Sequence, residues 1–281
     1  MATPSVWRQV RALEDDYGVR FVAAKGRAVR LTEEGQRLVN LASPLVEGFD
    51  SLRKVFMDIQ AGAERVLRLA APASVLNSDL RHVIAAYRLA HPEVRLKLID
   101  SPSRLAWQMV ESDKADLAVV GVPDGLSLPG RLAGDLLVRN PFEVIFPKGH
   151  PLGRFKKIGL REILAQPLIL AGEDSSSRLQ FDQVVAKAGL TAKVNVVMTA
   201  GNVPSILNYV GLGVGVAILT RSAIEAMSFP AVEKAGLAHR DVSSLLGCDN
   251  IFLVYPKGRY ELDHIRIFRE MTAASLNDRP A

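Results

Sequence analysis

Cysteine is nearly absent from this chain: Cys248 is the only one among 281 residues. An internal disulfide and a cysteine-rich metal site are therefore excluded, and packing beside a strand explains the lone thiol more readily than redox sensing does. Long apolar runs are missing too, as is a charged start followed by an apolar stretch, so neither a membrane span nor a signal peptide is predicted. We expect a reduced, cytoplasmic protein that does not bind membranes.

Recognisable catalytic patterns are also lacking. The sequence has no Gly-x-Ser-x-Gly elbow and no phosphate-binding P-loop, and Gly211-x-Gly213-x-Gly215 lacks the dinucleotide spacing. The five histidines are scattered without metal-ligand spacing; they are His82, His91, His150, His239 and His264. We therefore expect no enzyme activity, no catalytic residue, no metal and no cofactor.

The composition is that of a globular protein, with 48% hydrophobic and 23% charged residues, and the length suits two compact units plus an extension. The net charge of +5 is compatible with nucleic-acid binding. A scattered excess of lysine and arginine also simply aids solubility, so charge alone does not decide between these interpretations.

Residues 2–35 predict a helix, a basic hairpin and the start of a second helix. Thr3 suits the N-cap and Pro4 the first position of a helix that reaches Glu14. Two short apolar runs, 19–22 and 28–31, then flank the basic tip 25–27, and acidic residues open the next helix at 32–35. This order is typical of a winged, DNA-reading head, although a helix-turn-helix also needs an earlier bracing helix, which does not precede Met1 here.

A helical seam is predicted after the wing, because apolar residues recur every three or four positions. Its members are Leu38, Leu41, Leu45, Phe49, Leu52, Phe56 and Ile59. Pro44 is expected to bend or divide this helix, and Ala61-Gly62-Ala63 to form a hinge after it. The seam fits either a dimer interface or a helix lying on its own domain.

From Val66 onward, short β-rich runs alternate with helical ones, which indicates mainly parallel sheets covered by helices. Predicted strands are 65–71, 94–99, 117–121, 142–147, 168–170, 194–197, 214–219 and 251–255. Predicted helices are 80–89, 105–110, 179–188, 204–210 and 265–276.

Several motifs together resemble the LysR-type transcriptional regulators along the whole chain. In the head they are Thr3-Pro4-Ser5-Val6-x-Arg8-Gln9-Val10, Gly18-Val19-Arg20-Phe21 and Leu31-Thr32-Glu33-Glu34-Gly35. Further on they are Ala115-Asp116-Leu117-Ala118-Val119, Pro147-x-Gly149-His150-Pro151-Leu152, Ala188-Gly189-Leu190 and Gly211-Leu212-Gly213-Val214-Gly215. The resemblance implies an α/β fold: a partial winged helix and a linker helix, then a two-lobed effector domain like the type II periplasmic binding proteins.

The resemblance also implies boundaries and roles. The partial winged helix would span 1–36, the dimerising linker helix 37–62, and the effector domain 63–281, with lobe I formed by 63–141 and 257–281 and lobe II by 142–256. It implies a homodimer or homotetramer that binds double-stranded DNA. The residues expected at the DNA are Thr3, Pro4, Ser5, Trp7, Arg8, Arg11, Lys25, Arg27 and Arg30. Trp7 stands where the family usually has a small residue, and could instead lie against apolar surface.

The predicted ligand site lies where strands end and helices begin, since ligands of open α/β sheets collect there. The candidate residues are Ser74, Ser101, Ser103, Val122, Ser175, Ser176, Ser177, Arg178, Gly201 and Asn202. Each serine or asparagine alone is better explained as a helix cap, but four such junctions in one such fold favour an effector cleft. Helix termini favour an anionic effector, whereas Glu173 and Asp174 favour a zwitterion, and Arg178 fits an anion or solvent equally.

Three functions follow. The first is a LysR-type regulator in which a small-molecule effector shifts the geometry of a dimer on DNA. The second is a truncated, effector-binding dimerisation protein that modulates full-length regulators, which the missing upstream helix favours. The third, a transport solute-binding protein, is disfavoured by the lack of a signal peptide.

Overall fold

The computed structural model describes residues 4–25, 28–60, 64–227 and 236–277. The chain divides into two compact units: a small unit, Met1–Ala63 with Lys257–Glu261, and a large unit, Glu64–Pro256 with Leu262–Ala281. Among the helices described, none has the length and apolar character that crossing a bilayer would require.

The small unit has the predicted order of helix, hairpin and helix. Helix α1 spans Pro4–Tyr17, the hairpin consists of β1 (Val22–Lys25) and β2 (Ala28–Leu31), and α2 spans Glu33–Gln60. The hairpin is antiparallel and pairs Val22 with Leu31. Thr3 and Arg27 lie outside the described residues.

The start of α2 is fixed against the wing. The Thr32 hydroxyl accepts a hydrogen bond from the Gly35 N–H at 3.0 Å, as an N-cap does. A Cβ on Gly35 would lie 2.0 Å from the Phe21 carbonyl oxygen, so this close approach requires glycine. Of the two effects predicted for Pro44, division of the helix was wrong, because α2 runs without interruption from Glu33 to Gln60, while a bend stays a prediction. Proline removes a single N–H donor, and residues of helical spacing follow it. Because α2 begins at Glu33, the predicted domain boundary between residues 36 and 37 falls inside this helix.

Lobe I of the large unit contains three parallel strands. They are β3 (Val66–Ala71), β4 (Arg95–Asp100) and β5 (Leu117–Val122), with β3 between the other two. The helices that follow them are α3 (Ala73–Asn77), α4 (Arg81–Ala90) and α5 (Ser103–Glu111). Every residue of β5 is buried, as its continuous apolar sequence predicts for a central parallel strand.

Strand β6 (Leu132–Pro147) is long enough, at 16 residues, to belong to both lobes. Residues 132–141 pair with β11 (Cys248–Pro256), and residues 142–145 pair with β9 (Val216–Thr220). Lobe II adds the strands β7 (Leu168–Ala171), β8 (Val196–Ala200) and β10 (Leu237–Asp241). Its helices are α6 (Leu160–Leu164), α7 (Ser176–Lys187), α8 (Val203–Gly211), α9 (Arg221–Glu225) and α10 (Ser243–Leu246), and α11 (Asp263–Asn277) follows β11.

The strands form one continuous series, β4-β3-β5-β11-β6-β9-β7-β8, with β10 on β6. Strand β11 pairs with β5 and with the first part of β6, so it belongs to the sheet of lobe I. By strand pairing the chain therefore returns to lobe I near Gly247, and the predicted return near Lys257 was wrong. The family resemblance implied a return after residue 256, whereas the hydrogen bonds of β11 already join it to β5 and to the first part of β6.

Each lobe has its own apolar core. In lobe I, α4 and α11 cover one face of the sheet. Between these helices the rings of Tyr87 and Phe268 pack edge to face, with their centroids 5.1 Å apart. In lobe II, Phe142, Phe146 and Phe181 are buried together. Two separately packed cores are thus joined by β6 and by the turn before β11.

Candidate ligand cleft and nucleic-acid interface

The predicted ligand residues of lobe I lie at the ends of its strands. Ser74 is within α3, Ser101 follows β4 and is buried, and Val122 ends β5 and is buried. Ser103, also buried, begins α5, and its hydroxyl accepts a hydrogen bond from the Gly121 N–H at 3.1 Å. The packing of β5 against α5 thus already uses the Ser103 side chain.

The predicted residues of lobe II lie at the starts of α7 and α8. Ser175 caps α7 by accepting from the Arg178 N–H at 3.2 Å, and Asn202 caps α8 by accepting from the Ser205 N–H at 2.9 Å. Ser177 is in the first turn of α7, and Gly201 precedes Asn202. The Arg178 guanidinium is mostly buried and pairs with Asp182 at 2.9 Å, one helical turn on.

Residues from three distant parts of the sequence meet where α7 approaches lobe I. The Ser176 hydroxyl donates to Asp249 Oδ2 at 2.9 Å, and both side chains lie against Gly121. A Cβ on Gly121 would be 2.2 Å from Ser176 Oγ and 2.4 Å from Asp249 Oδ1. Glycine at this position therefore lets α7 reach the sheet of lobe I.

Asp249 is a buried acid of the large unit. It is 5% exposed, and its Oδ1 is buried with no hydrogen-bond partner in the described part of the chain. Burial raises the pKa of Asp249 to about 6, with a smaller contribution from the negative charges of Asp79 and Asp124, while the Ser176 hydrogen bond opposes the rise.

The Gln180 side chain of α7 forms hydrogen bonds to both lobes, to Asp124 of lobe I and to Leu246 of lobe II. Gln180 accepts from the Asp124 N–H at 2.9 Å and donates to the Leu246 carbonyl at 2.9 Å. Asn250 donates to the Asp124 carboxylate at 2.7 Å. Helix α7 is therefore joined to lobe I through Ser176 and Gln180, and α9 is joined to lobe I through Ser222, which hydrogen-bonds to Asn140.

A cavity of about 290 Å³ lies between the lobes and is lined by side chains that sequence reasoning missed. Lobe I contributes Ser78, Asp79, Arg81 and His82, and lobe II contributes Ser222, Glu225 and Ala226. Asp79 is itself buried and accepts from the Ser78 hydroxyl at 2.8 Å. These residues belong to no recognised sequence motif. The one indication in the sequence is that Asp79 lies between the predicted strand 65–71 and the predicted helix 80–89.

Alanine at Gly121 is expected to destabilise the chain by about 2 kcal/mol, because its methyl group would overlap Ser176 and Asp249. Urea unfolding of the full chain measures the loss. Gly172→Ala is the matched control, since a Cβ on Gly172 has open space. Equal effects of the two substitutions would mean that the close approach of α7 contributes nothing.

In the small unit, the residues predicted to contact DNA are exposed wherever their side chains are described. Arg8 and Arg11 are exposed on α1, together with Pro4 and Ser5, and Trp7 is 37% exposed. Arg30 is exposed on β2, whereas the side chain of Lys25 lies outside those described. Helix α1 and the wing therefore both present arginine to solvent, as a phosphate-binding surface needs.

The predicted seam of α2 is also largely exposed within the chain. Leu41, Leu45 and Phe49 are 73%, 75% and 69% exposed, and Leu52 and Phe56 are exposed as well. Leu38 is half-buried, and the side chain of Ile59 lies outside those described. Helix α2 therefore exposes several large apolar side chains.

Across the described ranges, no group of three or more His, Cys, Asp or Glu side chains has a metal-binding arrangement. The buried carboxylate Glu143 is paired with Arg221 Nε at 2.7 Å and with His239. The Glu143 carboxylate therefore has its partners within lobe II.

Two protein-family models match the chain. The LysR substrate binding domain matches residues 60–277, and the bacterial regulatory helix-turn-helix protein of the lysR family matches residues 1–36. The HTH-type transcriptional regulator cbl of Escherichia coli is 26% identical over 273 residues, which cover 97% of this chain and 84% of that protein.

Solved structures with the same fold are known. The cofactor-binding domain of the Cbl transcriptional regulator aligns with a TM-score of 0.66 and 24% identity, covering 75% of this chain and 89% of that one. The Synechocystis CcmR regulatory domain in complex with 2-PG aligns with a TM-score of 0.67 and 18% identity, covering 77% of this chain and 99% of that one.

Proposed function

We propose a mechanism for a chain that belongs to the LysR family of transcriptional regulators: an effector bound between the lobes of its large unit controls how its small unit acts on DNA. The observation that carries this proposal is the order of the two matched models, a helix-turn-helix over residues 1–36 and an effector-binding domain over residues 60–277. The relatives of the chain are transcriptional regulators. We propose that this chain binds DNA in the cytoplasm.

We propose that α1 reads the major groove and that the wing contacts phosphates. Arg8 and Arg11, exposed on α1, are the side chains best suited to base edges or phosphates, and Arg30 is suited to the backbone. Thr3, Lys25 and Arg27 complete the proposed surface by resemblance to the family. The alternative of a dimerisation protein without DNA binding is not favoured, since the match to the helix-turn-helix model includes both the reading helix and the wing.

The effector site that we propose is the space between the strand ends of the two lobes. Ser74, Ser101, Ser103 and Val122 would bound it in lobe I, and Ser175, Ser176, Ser177, Arg178, Gly201 and Asn202 in lobe II. An anionic group of the effector would face the first turns of α5 or α8, because the first turn of α7 already lies beside the Asp249 carboxylate.

Control requires that effector binding change the arrangement of the lobes. Helix α7 suits this role, since Ser176 and Gln180 fasten it to lobe I through single hydrogen bonds. An effector that binds one lobe arrangement more tightly than another would shift the population toward that arrangement.

We propose a homodimer formed through the exposed apolar side of α2, comprising Leu41, Leu45, Phe49, Leu52 and Phe56. A homotetramer would need a second surface. The outer strands β4 and β8 offer one, because their outer edges pair with no strand in the described part of the sheet and expose Leu98, Val196 and Val197.

Binding of the chain to a labelled duplex from its own upstream region, across a salt series, tests the regulator function. We expect saturable binding that exceeds binding to a scrambled duplex, and we expect Arg8→Ala to weaken it about tenfold. Arg154→Ala, which removes an exposed arginine of the large unit, is the charge-matched control. Equal binding to both duplexes, lost with rising salt, would contradict sequence-specific regulation.

A further inference from the structure

The positive charge of the chain is concentrated in one segment of lobe II, residues 148–161. This segment contains five of the 35 lysine and arginine residues and none of the 30 acidic residues, so the rest of the chain holds 30 charges of each sign. By contrast, residues 1–36, which match the helix-turn-helix model, contain six basic and five acidic residues. The net charge of +5 therefore equals the charge of this one segment of lobe II.

Apolar residues of this segment hold it against the core of lobe II. Leu152 and Ile158 are both buried in that core. His150 precedes the short 3-10 helix Pro151–Arg154, where its ring accepts a hydrogen bond from the Leu152 N–H at 3.2 Å. Because the backbone is anchored on both sides of residues 153–157, the side chains between these anchors project from a fixed part of the surface.

The basic side chains of the segment extend away from this core. All five are exposed: Lys148, Arg154, Lys156, Lys157 and, in the first turn of α6, Arg161. Leaving Lys148 aside, none of them forms an ion pair with a carboxylate in the described part of the chain. The next acid along the chain, Glu162, lies with its carboxylate against Gly159. Lobe II thus has a basic surface, which consists of Arg154, Lys156, Lys157 and Arg161.

We propose that this basic surface is a second DNA-binding surface of the chain, which contacts the phosphates of duplex DNA and does not read bases. The proposal rests on the proposed function, because it adds a contact to the DNA binding described there. Duplex DNA carries one negative charge for about every 1.7 Å of its axis, and clustered lysine and arginine side chains release its counterions. Such contacts contribute affinity and orientation but carry no sequence information.

An acidic protein segment is the other kind of partner that a basic surface fits, and the distribution of charge favours DNA. The helix-turn-helix region has an excess of one positive charge, and one of its arginines, Arg20, pairs with Glu14. The electrostatic part of DNA affinity grows with the number of phosphates that a protein neutralises. The basic surface of lobe II therefore supplies positive charge that the reading head has little of.

Two adjacent lysines of the basic surface allow a direct test in the full chain. Lys156→Gln combined with Lys157→Gln, the surface variant, removes two exposed charges and leaves the apolar anchors in place. Lys187→Gln combined with Lys193→Gln, the control variant, removes the same charge from exposed positions elsewhere in lobe II.

Duplex titrations across a salt series measure the affinity of each protein for the upstream duplex and for its scrambled form. We expect the surface variant to bind both duplexes about tenfold more weakly at low salt, and to reduce the slope of log affinity against log salt by about 2. The control variant should leave the slope unchanged. Urea unfolding verifies that the large unit is intact, followed by Trp107 fluorescence in a Trp7→Phe background because these are the two tryptophans of the chain.

Single substitutions separate this surface from the reading helix. Arg154→Ala removes one charge of the basic surface, so it should lower the affinity for both duplexes by the same small factor and remains a measure of charge alone. Arg8→Ala should instead lower the ratio between the affinities for the upstream and the scrambled duplex, because α1 is the element proposed to read bases.

A salt slope that the surface variant leaves unchanged, a loss of affinity no larger than that of the control variant, or a wild type that binds neither duplex would overturn the proposal. Binding of poly-L-glutamate that the surface variant loses while it keeps its duplex affinity would overturn it in favour of an acidic protein partner. Specific binding with an unchanged slope would reject the basic surface and leave the regulator function standing. Equal binding to both duplexes, with a slope that falls in the surface variant, would do the reverse.

Discussion

Asparagine at position 249 is expected to stabilise the chain by about 3 kcal/mol at pH 7.5 and to change its stability little near pH 4. The reason is that burial raises the pKa of Asp249 from 3.8 to about 6 in the folded chain. The Asp79 and Asp124 carboxylates add to the rise, and the hydrogen bond from Ser176 opposes it. Asparagine keeps an acceptor for Ser176 and removes the buried charge.

The direction of this pH dependence follows from whether the folded or the unfolded chain holds the proton of the Asp249 carboxyl at a given pH. Below pH 3.8 the Asp249 carboxyl is protonated in both states, and its burial has no charge penalty. Between 3.8 and about 6 the unfolded chain releases the proton first, so stability falls as pH rises. Above about 6 the folded chain has lost the proton too, and the full penalty remains.

Urea unfolding of the wild type and of Asp249→Asn between pH 4 and pH 8 measures this effect. Trp107 fluorescence in the Trp7→Phe background follows the large unit, and the difference between the two proteins cancels the titrating groups that do not interact with position 249. Asp263→Asn supplies a control in which the removed carboxylate is exposed. A difference between wild type and Asp249→Asn that stays constant with pH would show that the carboxyl is not buried as described.

Much of the fold could be predicted because its elements have strong local patterns. Leu117–Val122 is a continuous apolar run and forms a wholly buried strand. Arg81–Ala90 has apolar residues at helical spacing and forms α4 against the core of lobe I. In both segments the local preference agrees with the tertiary environment, so the sequence alone is informative.

The first half of β6 could not be predicted, because glycine, aspartate, asparagine and proline interrupt residues 132–141. Pairing with β11, more than 100 residues away in sequence, makes this segment a strand. Pro141 is tolerated because it lies at the last pair with β11, just before Phe142 begins the pairing with β9. The crossing between lobes is thus a tertiary feature with no local signal.

The cleft could be predicted only in outline. Ser103 and Ser176 were expected to lie near the ligand, and the structure does bring them close to one point, on either side of Gly121. What the sequence could not show is that the Ser176 hydroxyl is committed to Asp249, 73 residues later. Cys248-Asp249-Asn250 resembles a polar strand end, and only the approach of α7 makes Asp249 a buried acid.

Alanine at position 14 is expected to reduce specific DNA binding by one to two orders of magnitude. Glu14 is buried between α1 and the wing, where it accepts from the N–H groups of Phe21 at 2.7 Å and Val22 at 3.1 Å. Arg20 pairs with its second oxygen at 2.8 Å. Without this carboxylate two backbone donors lose their acceptor, and the angle between α1 and the hairpin is no longer fixed.

Charge alone predicts the opposite result for Glu14→Ala, which makes the experiment decisive. Removing an acid from a DNA-binding surface strengthens attraction to phosphates, so Asp15→Ala, at an exposed position on the same helix, should leave affinity unchanged or slightly higher. Glu14→Gln should retain most of the binding, because its carbonyl can still accept from Phe21 and Val22 while the lost pair with the exposed Arg20 is worth little.

Lowering the pH should weaken specific DNA binding in the same way as Glu14→Ala. The Val22 N–H foremost, with Arg20 and the Phe21 N–H, lowers the pKa of Glu14, so its contribution is present above the ordinary glutamate pKa and is lost as pH falls through the lower, folded value. Duplex titrations of the wild type, Glu14→Ala, Glu14→Gln and Asp15→Ala at one salt concentration measure these effects. If Glu14→Ala binds DNA as tightly as Asp15→Ala, the Glu14 carboxylate does not hold the reading helix to the wing. DNA binding by Arg8, Arg11 and Arg30 would then not depend on the orientation of α1 relative to the hairpin.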